Sequence, residues 1–186
     1  MDIKKHFGDT LTDMLKRLSF EEITVQMILD ESTLSRSTFY RHFKDKYDLA
    51  NWCYLSNIEV FLNHGRYDTW EGYLRDVFSF IYNNRVFFKQ TFDFREANTF
   101  WSFLYKFSYD HCERTYLKMW NLKNLPDEDR VGIEFYVMGS IHIASQWVKR
   151  GAPESADDMA KWAYDLTPKK YRDSFDGLLN LTSRKI

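Results

Sequence analysis

A chain of 186 residues that is 44% apolar and 18% aromatic can bury a sizeable core, and its net charge of −1 excludes a globally basic nucleic-acid coat. The two cysteines, Cys53 and Cys112, stand far apart and in no CxxC spacing, which argues against a disulfide framework or a cysteine zinc site and fits a reducing compartment. The opening MDIKKHFGDTL has no apolar h-region, and no run of about 18 apolar residues occurs, so the expectation is a cytoplasmic protein without a membrane segment.

Seven Gly and three Pro are too few breakers for a chain of strands and turns, whereas helical periodicity recurs throughout. Ile3, Phe7, Leu11, Met14, Leu15 and Leu18 form one stripe, which predicts a first helix of about four to five turns. Thr24 is placed to cap a second helix at about 24–31 that turns Val25, Ile28 and Leu29 inward. Ser35 is placed to cap a third, at 35–42, with Phe39 and Phe43 one turn apart on the core side. Asp45 opens a long fourth helix from Lys46 to about residue 62. Beyond Asn63-His64-Gly65-Arg66 the helical patterns lengthen, at about 70–83, 85–92, 97–120 and 127–149. Acidic residues after Pro126 suit a helix start, Gly151-Ala152-Pro153 closes that helix, Ser155 caps another, and Pro168 fits the first turn of a last one. The pattern predicts an all-α protein with an N-terminal module over 1–46 and a helical bundle over 47–186.

Two short helices joined by a turn of about three residues form a helix-turn-helix. With Phe39 and Phe43 inward, the outer face of the second helix shows Arg36, Ser37, Tyr40 and Arg41, flanked by Thr38 and His42. Residues 36–46 carry four cationic side chains against Asp45 alone, so positive charge collects at this edge although the first 50 residues balance eight basic against nine acidic groups. Hydroxyl and cationic donors suit phosphate oxygens, and arginine suits guanine edges. A solvated face with scattered charges would show the same composition.

The order of residues adds to this. The string FEEITVQMILDESTLSRSTFYRHFKDKYDLA, from Phe20 to Ala50, resembles the TetR family of transcriptional regulators. The shared pattern is Ile23-Thr24-Val25, then Ser35 to Phe43 as Ser-x-x-Thr-aromatic-Tyr-x-x-Phe, then Lys46 to Leu49. The resemblance implies a DNA-contacting set that opens at Ser35. Arg36, Ser37 and Thr38 would enter the major groove, Thr24, Tyr40 and Lys46 would hold phosphates, and Arg41 and His42 would reach a base or a phosphate. The family's turn usually reads Ala-Gly-Val; here it is Ser32-Thr33-Leu34. A left-handed backbone at that glycine position would cost a threonine about 1–2 kcal/mol.

Later in the chain, Gly139-Ser140-Ile141, Trp147 to Gly151 and Pro153 to Ala160 resemble the subgroup that includes a regulator of dihydroxyacetone kinase operons. The helix at 127–149 bears two apolar stripes, Ile133, Val137, Ile141, Ala144 and Val148, and Val131, Phe135, Met138, His142 and Ser145. Such a helix is either wholly buried or bridges a core and a partner. The resemblance implies that this helix and the next make a two-fold homodimer, through Ile133, Val137, Ile141, Ala144, Val148, Met159 and Trp162, on a pseudo-palindromic operator. The aromatic run over 70–107 includes Phe94, with Arg95, His111, Glu113 and His142 as polar groups in the region. Trp70, Phe78, Phe88, Trp101, Tyr105 and His111 are candidates to line a pocket for a small apolar or aromatic effector. Aromatic stripes on helices serve equally as packed core. Metalloprotease, nucleophile-elbow and phosphate-loop motifs are missing, so neither an enzyme, a metal site nor a cofactor is expected. The expected function is a ligand-responsive TetR-type repressor acting on double-stranded DNA. Its rival is a protein of the same shape, a co-regulator or activator, that binds protein instead.

Overall fold

A computed structural model describes residues 2–64, 69–92 and 100–183, the side chains of 59–64 and 178–183 aside. The described chain is all-α. Its helices are α1 (Ile3–Met14), α2 (Val25–Ser32), α3 (Arg36–His42), α4 (Lys46–His64), α5 (Trp70–Asn83), α6 (Arg85–Thr91), α7 (Phe100–Trp120), α8 (Asp127–Lys149), α9 (Ala156–Leu166) and α10 (Lys169–Ser183). Gly65, Arg66, Phe94, Arg95 and the expected helix start at 97–99 lie outside the described residues.

The caps fall where side-chain chemistry puts them. Thr24 Oγ1 accepts from the Met27 N–H at 3.2 Å, Ser35 Oγ from Thr38 at 3.1 Å, Asp45 Oδ1 from Asp48 at 2.8 Å and Ser155 Oγ from Asp158 at 3.0 Å. Regular α1 is shorter than its apolar stripe. It stops at Met14, where the Lys16 N–H turns to the Asp13 carbonyl at 3.3 Å, while Leu15 stays buried beyond the helix end. α8 ends in left-handed backbone at Gly151 and Ala152, and the Ala152 N–H returns to the Trp147 carbonyl at 2.8 Å.

The chain divides into two compact units, 1–59 with 86–103 and 60–85 with 104–186. The core of the first holds Phe7, Leu11, Ile23, Ile28, Phe39 and Leu49, each fully buried. Phe7 meets Phe39 edge to face at 5.2 Å, the geometry aromatic quadrupoles prefer. A second aromatic cluster joins α4 to α6 and the start of α7, with Tyr54 against Phe88 at 6.2 Å and Phe100 at 5.6 Å.

In the second unit α5 packs along α9, and α8 supplies the core. Trp147 is fully buried against Phe78 at 5.7 Å, and its indole N–H donates to the Glu154 carbonyl at 3.2 Å. α10 is stitched in at several points. Phe175 lies 4.2 Å from Trp70, Lys170 Nζ donates to buried Asp129 at 2.6 Å, and Trp120 Nε1 donates to Ser174 Oγ at 2.6 Å. The Asp176 carboxylate accepts from the Trp70 backbone N–H at the head of α5 and from the Tyr164 hydroxyl.

The first apolar stripe of α8 faces the core of its own unit, while Ser145 of the second stripe is buried too. Ile133, Val137, Ile141, Ala144 and Val148, with Met159 of α9, are buried inside the protomer, whereas Trp162 of the expected interface is exposed. They pack there because α5 and α9 cover that side. The outward apolar residues are Val131, Phe135, Met138 and Ile143 of α8 with Trp162 and Leu166 of α9, Phe135 being 83% exposed.

Candidate nucleic-acid interface

α2 and α3 are joined by Thr33, Leu34 and Ser35. Thr33 takes φ 57° and ψ 22°, so the left-handed position is present and a threonine fills it. His6 Nε2 of α1 lies 3.0 Å from the Ser32 carbonyl at the end of α2, and Arg17, just past the end of α1, pairs with Glu31. These contacts fix α2 against α1 and so fix the launch direction of α3.

Phe39 and Phe43 anchor α3 inward, which leaves Ser35, Arg36, Ser37, Tyr40 and Arg41 exposed and Thr38 and His42 half-buried. Tyr40 is 49% exposed and rests edge-on against Phe39 at 5.4 Å. At the head of α3 the Ser35 hydroxyl lies 2.9 Å from that of Ser37 and 2.8 Å from that of Thr38, a hydroxyl cluster beside Arg36. Thr24 is exposed at the start of α2. Together these groups form one surface of hydroxyl, phenol and guanidinium donors on a rigid backing, the chemistry that phosphate oxygens and base edges accept.

Lys46 has a different setting. Its ammonium donates to the carbonyls of Phe20 at 2.8 Å, Glu21 at 3.2 Å and Ile23 at 2.8 Å, and lies 4.9 Å from the Phe20 ring centre. Its three N–H donors thus tie the α1–α2 loop to the start of α4. Sequence reading also missed two residues of α2. Arg36 Nη2 donates to Gln26 Oε1 at 2.7 Å, and Gln26 Nε2 donates to Asp30 Oδ1 at 2.7 Å. The i, i+4 spacing of Gln26 and Asp30 was a visible signal; the link to Arg36 depends on the angle between the helices.

The six aromatic and histidine candidates for a pocket do not form one lining. Phe88 is fully buried in the first unit, 5.3 Å from Phe92, and Trp101 is half-buried there. In the second unit Trp70 stacks on Tyr73 at 4.8 Å, and Tyr73 on His111 at 6.1 Å, so with Phe175 these rings fill one another's space. Burial holds the His111 imidazole below its ordinary pKa, and Arg114 adds to the shift. Tyr105 is half-buried, 6.1 Å from Tyr109. Phe78 alone of the six reaches a groove of about 540 Å³, which runs between α8 and α9 past Phe135, Gly139, Ile143, Trp162 and Leu166. A Cβ added at Gly139 would meet no atom within 4 Å, so this wall is open.

Fold and surface together define an all-α protein with a helix-turn-helix carried on a separate helical unit. Residues 68–169, more than half the chain, match the family model described as "Transcriptional regulator C-terminal region", TetR_C_8. The chain belongs to the TetR family of transcriptional regulators. It is 21% identical over 90 residues to the HTH-type dhaKLM operon transcriptional activator DhaS of Lactococcus lactis subsp. lactis (strain IL1403), a match spanning 48% of each protein. The chain thus spans about half the length of this curated relative. A solved structure titled "Dihydroxyacetone kinase operon activator DhaS" superposes with a TM-score of 0.64 at 16% identity, covering 88% of this chain and 93% of that one, a likeness of fold. The family is one of regulators rather than enzymes. Among the described residues, no helix is long and apolar enough to cross a membrane.

Proposed function

We propose that this chain regulates transcription by binding double-stranded DNA as a homodimer, with α3 in the major groove. The observation that carries the reading is the outer face of α3, where Arg36, Ser37, Tyr40 and Arg41 are exposed donors backed by buried Phe39 and Phe43. Lys46 enters this reading as the residue that holds the α1–α2 loop, so its contribution to DNA binding passes through the module's shape. Two copies related by a two-fold axis present their recognition helices at about one turn of DNA, about 34–36 Å apart, and read a pseudo-palindrome. The exposed apolar face of α8 and α9, centred on Phe135, Trp162 and Leu166, supports the dimer half of the reading.

Repression is the proposed sign of control, by occupancy of an operator that overlaps a promoter. Activation is the second reading, and the relatives' titles favour it. An apolar or aromatic effector that binds one dimer geometry better than the other would shift the spacing of the two recognition helices.

The test is recovery of sheared host DNA by the purified chain at two salt concentrations, with sequencing. An enriched palindrome that Arg36→Ala abolishes supports DNA binding, and steep loss of affinity with salt supports phosphate contact. Sequence-independent recovery at both salts would sink the reading and favour a protein-binding co-regulator. Phe135→Glu and Gly139→Arg should turn the dimer into a monomer in sedimentation without lowering helix content, because both positions face open space. Dimers that persist in both variants would move the interface elsewhere.

A further inference from the structure

Arginine reads guanine best when two of its N–H groups meet O6 and N7 together, and that geometry fails if the guanidinium wanders. Arg36 is the first residue of α3 and its side chain is exposed, so nothing in its own helix fixes where the guanidinium points. The fixing group comes from α2. Gln26 Oε1 accepts from Arg36 Nη2 at 2.7 Å, and Gln26 Nε2 donates to Asp30 Oδ1 at 2.7 Å.

The direction of the Gln26 amide follows from this chain of contacts. Turned over, it would set its NH₂ against the arginine, which has only donors, and its oxygen against the carboxylate, which has only acceptors. Asp30 therefore locks the amide with its oxygen toward Arg36. One of five guanidinium N–H groups is taken, which leaves the other four for a base. Asp30 and Gln26 sit one helical turn apart on α2, the spacing at which such side chains hydrogen-bond and favour one orientation.

We infer that Gln26, oriented by Asp30, is a positioning residue that sets the guanine preference of Arg36. This rests on the DNA-binding reading above. Held in advance, Arg36 loses little side-chain freedom on docking; released, it loses that freedom at each binding event, a penalty of about three- to tenfold in preference. Asp30 has a second effect with the opposite sign. Its carboxylate is exposed beside the Gln26–Arg36 contact and would repel backbone phosphates, so it should weaken binding to every sequence.

The experiment selects bound duplexes from a randomised pool with the full-length chain and five variants, and measures salt dependence on a non-specific duplex. The expected wild-type result is one guanine position in each half-site that Arg36→Ala erases. Gln26→Ala should weaken preference at that same position about three- to tenfold, with the salt slope unchanged. Asp30→Ala should weaken it too while raising non-specific affinity. Asp30→Asn keeps an oxygen for the Gln26 amide, so it should raise non-specific affinity and retain the preference. Gln26→Glu should weaken preference by drawing Arg36 into an ion pair. Thermal melts report whether each variant is folded, and all three side chains are exposed, so small shifts are expected. The inference is overturned if Gln26→Ala leaves the Arg36 position unchanged, if it alters a different base position instead, or if Asp30→Ala and Asp30→Asn behave alike. A wild-type chain that enriches no sequence overturns the DNA-binding reading and this inference with it.

Discussion

Thr33→Gly is expected to stabilise the protein. Thr33 holds φ 57° and ψ 22° with an exposed side chain, so its Cβ strains the turn and gains little packing in return. Left-handed backbone costs an L-residue about 1–2 kcal/mol. Glycine removes that strain but loses about 0.5–1 kcal/mol more backbone entropy on folding. The difference is a gain of about 0.5–1 kcal/mol, or roughly 2–4 °C in Tm for each kcal/mol gained in a chain of this size. Thr33→Asn should gain less, because asparagine tolerates the left-handed region but keeps a Cβ. Thr33→Ala should gain least, since alanine relieves the β-branch and not the clash. Urea titration at constant m-value measures all three. A loss of stability in Thr33→Gly, or an equal gain in Thr33→Ala, would refute the assignment of strain to this backbone.

Gly132→Ala should destabilise by about 1–3 kcal/mol, because its Cβ would fall 1.9 Å from the hydroxyl oxygen of buried Tyr171; Tyr171→Phe in the same chain should recover part of the loss, and additive melts would contradict this. Burial lowers the His111 pKa below 6.5, so the unfolded chain takes up a proton first as pH falls. Stability that is full above pH 6.5 should therefore decline below it, and His111→Gln should flatten that decline in melts across pH 5–7. Lys46→Met should lower stability by about 1–3 kcal/mol by stranding the part-buried carbonyls of Phe20 and Ile23, whereas Arg36→Ala should leave the melt within about 0.5 kcal/mol of wild type. A Lys46→Met chain as stable as wild type, yet defective on all DNA, would return Lys46 to the phosphate backbone.

Local chemistry was legible and tertiary assignment was not. Thr24, Ser35, Asp45 and Ser155 cap the helices that their sequence positions predict, since a cap needs only its own next three residues. The left-handed residue of the turn was legible as well, because a family pattern with glycine there marks a backbone need that Thr33 inherits. Which stripe of α8 turns inward was beyond periodicity, for both stripes are apolar and α5 with α9 makes the choice. Lys46 looked like a free cation because the convergence of three loop carbonyls depends on how residues 20–23 fold back. The aromatic run suggested a pocket, yet Trp70, Tyr73, His111 and Phe175 close on one another. Ring content shows that apolar volume exists, and only packing tells whether it is filled.

The match to the family model ends at residue 169, where α10 begins. The folding unit does not end there. Trp70, Tyr116 and Asp129 are all buried, and Phe175, Tyr171 and Lys170 of α10 supply their ring and charge partners. A fragment trimmed to the boundary that sequence kinship suggests would bare two large rings and strand a carboxylate, and would be prone to clump. Shared ancestry and physical self-sufficiency thus draw different edges on this chain, and the second should guide where it is cut.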